Sequence, residues 1–195
     1  MNRTPIISGA VMLDRVLGEI QKGLASHLDW LDYAFGRAER VTSVQREKRY
    51  VRPSVYAGDW KIDGANDYLD MLPDSKIGNF SFFVIDDPQR IETGPGTRTI
   101  TSPASLVVWF DLRRVYGEAD NRNTEYLKAQ ILGVLGNRTS WRLRDGRFEV
   151  TAVYEQAQNI YRGFTIDEVD NQFLIHPFGG FRFEGILKYN ELCEI

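Results

Sequence analysis

Seven consecutive residues constrain this chain more than any others. Ala104, Leu106, Val108 and Phe110 alternate with Ser105, Val107 and Trp109, so a strand through them presents apolar groups on both faces. Such a strand has to be covered on both sides, which places it inside a sheet. Cover must come from the remainder of the chain.

Two helices are predicted to supply part of it. From about Gly9 to Ser26, Leu13, Val16, Leu17, Ile20 and Leu24 fall on one face of a 3.6-residue period, while Asp14, Glu19, Gln21 and Lys22 fall elsewhere. Ser8 is the expected N-cap, its hydroxyl accepting from a first-turn N–H. From Thr124 to Leu135 the stripe is Leu127, Ile131, Val134 and Leu135, with Asn123 or Thr124 as cap and Gly136 at the C′ position.

Further strands are predicted around these. Leu31, Tyr33 and Phe35 alternate with Asp32, Ala34 and Gly36, and Phe80–Ile85 is an apolar run ended by Asp86-Asp87-Pro88. Tyr68 to Leu72 reads as a short helical turn stopped by Pro73, and Glu92 to Pro103, rich in Thr, Gly and Pro, as a long exposed loop. Arg138 to Glu155 reads as a hairpin turning at Asp145-Gly146, with Phe148, Val150, Ala152 and Tyr154 on one face. In the closing strand, Phe181, Phe183, Gly185, Leu187 and Tyr189 alternate with Arg182, Glu184, Ile186 and Lys188. Gln156 to Gly180 is polar and irregular. The reading is α+β: a mainly antiparallel sheet packed against two main helices, with long loops or a hairpin arm, in one domain over residues 1–195.

Composition narrows the function classes. A hydrophobic fraction of 43% and a charged fraction of 26% fit a folded chain, and a net charge of −3 exerts no global pull toward nucleic acid or an anionic membrane. One cysteine, Cys193, excludes an internal disulfide and suits a reducing compartment. No segment approaches the roughly 20 apolar residues that span a bilayer, and residues 1–10 lack a signal-peptide core, so the expectation is a soluble protein with no membrane partner.

Residues that could carry chemistry are few. His27 closes a helix and His176 precedes Pro177, neither with a motif partner; Cys193 has no supporting constellation. The acidic groups Asp86-Asp87 and Asp167, Glu168, Asp170 lack the spacing of a calcium loop, and whether the second holds a metal stays open. Gly94-Pro95-Gly96 lacks the Gly-Lys-Ser/Thr ending of a phosphate loop and reads as a turn. The expectation is no catalytic residue, no cofactor and no enzyme activity.

The segment from Val41 to Tyr56 stands out instead. Tyr50, Val51, Val55 and Tyr56 are strand formers, and Pro53 points to an edge strand or a bulge. Basic residues are interleaved with aromatics: Arg46, Lys48, Arg49 and Arg52 beside Tyr50 and Tyr56. One reading is a partner-facing edge hairpin with Tyr50, Val51 and Tyr56 near the contact and Arg46, Lys48 and Arg49 at its rim. The other is an adaptor that grips a protein or a phosphate backbone through the same residues.

The order of elements — amphipathic helix, strands with a long hairpin arm, apolar central strand, second helix, further strands — resembles the tail-terminator and tail-completion proteins of phages and prophages. The closing run Pro177-Phe178-Gly179-Gly180-Phe181-Arg182-Phe183-Glu184-Gly185 is similar to the end of such prophage-encoded proteins. The resemblance extends from Gly9 to Tyr189 as topology. It implies an antiparallel sheet packed on helices and a homo-oligomeric ring, commonly a hexamer, in the neck or tail at the head–tail junction. Other tail or neck proteins would be its partners, met in the bacterial cytoplasm during assembly and retained in the virion. It implies no catalytic residue.

Overall fold

A computed structural model describes residues 12–45, 47–57, 68–74, 76–118, 121–136, 146–166 and 171–192. Ser8, Arg46, Asp145, Cys193 and the Asp167–Asp170 stretch lie outside the described residues, as does the first half of the hairpin expected from Arg138.

The described chain is α+β. Helix α1 (Met12–His27) leads into β1 (Tyr33–Gln45), β2 (Lys48–Tyr56), β3 (Tyr68–Asp70), β4 (Phe80–Ile85), β5 (Arg90–Gly94) and β6 (Thr97–Asp111). The short α2 (Leu112–Tyr116), α3 (Thr124–Gly136), β7 (Gly146–Tyr154), one-turn α4 (Ala157–Ile160), a 3-10 turn (Asn171–Leu174) and β8 (Phe178–Leu192) follow. The strands order as β3-β2-β1-β4-β6-β8-β7, with β5 beside β6. Among the described pairings, β1 with β4 is parallel and the others are antiparallel.

Strand β6 is the inner strand that its alternation predicts. Leu106, Val108 and Phe110 face one apolar cluster with Leu17, Ile20 and Leu24 of α1 and Leu127 and Ile131 of α3. Val107 and Trp109 face the opposite cluster, which Ile160, Tyr161 and Phe178 cover with Phe164 and Phe173. So both helices lie on one face, and residues 160–166 and 173–178 cover the other. Gln21 departs from the expected polar side: it borders the α1 stripe and is buried, its Oε1 accepting from Ser81 Oγ of β4 at 3.0 Å.

Three local expectations are corrected. Tyr68–Asp70 is a strand, because it pairs with Ser54–Tyr56 of β2. Glu92–Pro103 belongs to the β5–β6 hairpin, whose two-residue turn is Pro95-Gly96 with Gly96 at φ +70°. Pro103 therefore sits within the 15-residue β6, beside the equally long β8. Its carbonyl accepts from Asp86 N at 2.9 Å, so its missing donor faces Asp86, where the β4 ladder ends. Finally, Phe148, Val150, Ala152 and Tyr154 do not share one face. A bulge at Thr151 shifts the register, and Val153 joins Phe148 and Val150 on the helical side.

Candidate functional site

The predicted arm is a hairpin that outruns the sheet supporting it. Strand β1 pairs with β4 only from Tyr33 to Arg37; from Ala38 to Gln45 it pairs with β2 alone. Strand β3 reaches only Ser54–Tyr56 of β2. Thr165 holds Val51 on the β2 side, so Ser43–Gln45 and Lys48–Tyr50 are the two-stranded projection, and Val44 at its tip is 70% exposed. Glu47 takes the positive φ of +67° in the connecting turn.

Hydrogen-bond directions along this hairpin follow from its contacts. Thr165 N donates to Val51 O at 2.8 Å, Val51 N donates to Thr165 Oγ1 at 3.0 Å, and Met71 N donates to Pro53 O at 2.7 Å. The odd-numbered residues of β2 therefore point their backbone groups away from β1. Their register partners, Ala38, Arg40, Thr42 and Val44, must point theirs away from β2. Proline is tolerated at position 53 for this reason: its ring occupies the side that β1 does not use. Pro53 is accordingly not on a free edge of the sheet, since β3 lies just outside β2.

Strand alternation sorts the predicted interface residues onto two faces. Lys48, Tyr50 and Tyr56 share one face with Arg52 and Val41; Arg49 and Val51 share the other with Arg40 and Val44. On the first face Arg52 lies 6.0 Å from the Tyr50 ring centroid and reaches Asp70 Oδ2 at 3.4 Å. Tyr56, 38% exposed, meets Tyr68 edge-on at 5.7 Å. Sequence reasoning missed Tyr68 because a helical turn would have pointed it elsewhere. Tyr50, Arg52, Tyr56 and Tyr68 thus form an amphipathic surface on the helical side of β2 and β3, beyond the apolar cluster that the helices cover.

At the fork where β1 leaves β4 lies an ion cluster that no motif announces. Arg182 is only 2% exposed. Its Nε donates to Glu184 Oε1 at 3.0 Å, NH1 reaches the Ile160 and Arg162 carbonyls at 3.5 and 3.4 Å, and NH2 lies 3.8 Å from Asp86 Oδ2. Arg40 pairs with Asp86 and packs over Phe164; Arg162 pairs with Glu184 and packs over Tyr154. Burial pushes the Arg182 guanidinium below its ordinary pKa, and the bond to Glu184 opposes that shift. Each charged side chain in the cluster has an oppositely charged partner, so the arrangement clamps β1, the end of β4, β8 and the 160–164 segment together. A signal did exist: Arg182 pairs with Val107, so a covered second face of β6 obliges Arg182 to be covered too.

The two histidines occupy separate structural settings. His27 Nδ1 lies 2.8 Å from the Gly23 carbonyl, which it satisfies as a donor at the end of α1. His176 leads through Pro177 into β8. Among the described residues no group of three His, Cys, Asp or Glu side chains is placed to hold a metal ion. Asp86 of the Asp86-Asp87 pair is engaged by arginines. No helix among the described residues is long and apolar enough to cross a membrane. No protein-family model and no curated protein matches this chain.

Proposed function

We propose that this protein is a non-enzymatic structural subunit that assembles with copies of itself through the β1–β2 hairpin. The projecting hairpin carries the reading: from Ala38 outward one edge of β1 has no ladder among the described residues. A lone two-stranded hairpin is marginal in water, and an open edge invites another strand. A neighbouring subunit removes both liabilities. Arg40 lies on that edge, and Tyr50 and Arg52 stand on the strand beside it; aromatic residues and arginine are enriched at interfaces.

With the element order of tail-terminator and neck proteins, this supports a ring subunit at a phage head–tail junction, closed by heterologous contacts between unlike surfaces. The adaptor reading draws on a different observation, the clustering of Lys48, Tyr50, Arg52 and Tyr56 on one strand face. Light scattering and thermal melting on Tyr50→Ala with Tyr56→Ala separate the two. Assembly through the hairpin requires a lower mass with a nearly unchanged melting profile. Normal assembly with lost, salt-sensitive binding of single-stranded DNA would replace it with the adaptor reading.

A further inference from the structure

We propose that the cavity at the C-terminal end of β6 is a binding site for a small amine carrying one aromatic ring. The cavity holds about 230 Å³, and its apolar wall includes Trp109, Phe173 and Phe178. A dry cavity of about 150 Å³ accepts benzene, so this volume holds one ring and a short substituent.

The walls are fixed before any ligand arrives. Trp109 Nε1 donates to the Phe173 carbonyl at 3.0 Å, and Trp109 and Phe178 stack at 5.5 Å, with Phe173 edge-on to Phe178 at 5.1 Å. Gly180 forms part of the lining because nothing larger fits: a Cβ there would lie 2.6 Å from the Val108 carbonyl oxygen.

The charge of the ligand follows from the polar residues of the lining. They are Thr124, Glu155 and Tyr161; no lysine, arginine or histidine is among the lining residues. Each offers an oxygen acceptor, and an ammonium offers three donors. The Tyr161 hydroxyl is buried with no hydrogen-bond partner among the described residues, an arrangement that costs free energy until something polar meets it. Lys128 already binds Glu155 at 2.5 Å, but it also binds Glu125 at 2.7 Å, so two carboxylates, one of them in the lining, share one ammonium. An amine is therefore preferred to a carboxylate on the same ring.

The test is a titration of the full-length protein with benzylamine, and separately with phenylacetate, followed by the Trp109 indole and Gly180 amide resonances. The proposal expects saturable benzylamine shifts at both positions and at least about ten-fold weaker binding of phenylacetate. Glu155→Gln, at a side chain 42% exposed, should weaken benzylamine about ten-fold with unchanged melting. Leu174→Trp, which fills the cavity from the 3-10 turn, should abolish the shifts. Absence of saturable shifts at millimolar benzylamine overturns the site. Equal binding of phenylacetate, or binding indifferent to Glu155→Gln, overturns the amine assignment.

Discussion

Gly185 is the position where one added methyl group should do most damage. It stands in β8 opposite the β7 bulge, where Val150 and Ala152 pair with Gly185 and Glu184 and Thr151 is extra. A Cβ at Gly185 would lie 2.1 Å from the Glu149 carbonyl oxygen, 2.8 Å from its carbon and 3.0 Å from Val150 Cα. All three are backbone atoms, so no rotamer change relieves the clash. Real contacts stop near 3.0 Å, so β7 must retreat by about 0.9 Å and loosen its ladder on β8. Overpacking commonly costs about 1–3 kcal/mol, and backbone displacement puts Gly185→Ala at about 3 kcal/mol. For a chain of this length that is a fall of about 6–12 °C in Tm by calorimetry. Gly36→Ala is the control: a Cβ there meets nothing within 4 Å, and Tm should move by no more than about 2 °C. A Gly185→Ala protein that melts with the wild type would refute the account of the bulge.

Other perturbations test separate parts of the structure. Leu17→Asp puts a charge at a fully buried position of α1 and should destabilise by several kcal/mol in urea titration. Glu184→Ala leaves the buried Arg182 short of its main partner and should cost about 3 kcal/mol; Arg182→Met, which removes the buried charge itself, should cost less, and the reverse order would contradict the clamp. Replacing both His27 and His176 with Gln should leave assembly and biological function intact, with only a small loss at the end of α1. Loss of function in that variant with unchanged stability and mass would restore an enzyme reading.

Legibility of the fold in the sequence varied with the length and regularity of its patterns. The α1 and α3 stripes, the two apolar faces of β6 and the alternation of β8 were readable because each repeats over several turns or pairs. Tyr68–Asp70 was not, because a three-residue strand has no period and exists through its pairing with β2. The β5–β6 hairpin was hidden by its Thr, Gly and Pro content, although Thr97, Thr99 and Thr101 alternate with Arg98 and Ile100 and face partners in both β5 and β8. Pro103 in a long strand argues against a strand until the end of the β4 ladder at Asp86 is known. The arm itself was legible, but the division of its residues between two faces needed the register, and the Arg182 cluster needed tertiary contacts between distant segments.

The central claim, assembly through the exposed edge of β1, is tested most directly by the mass in solution of Thr42→Pro beside the wild type. Thr42 turns its N–H away from β2, as Pro53 does its nitrogen from β1, so proline there leaves the intramolecular ladder whole and caps only the outward edge. The account predicts a wild type sedimenting as a defined multiple of 22.4 kDa and a Thr42→Pro protein sedimenting as a monomer with the same far-ultraviolet circular dichroism. A wild type that stays monomeric at every concentration, or a Thr42→Pro protein that assembles like the wild type, would contradict it.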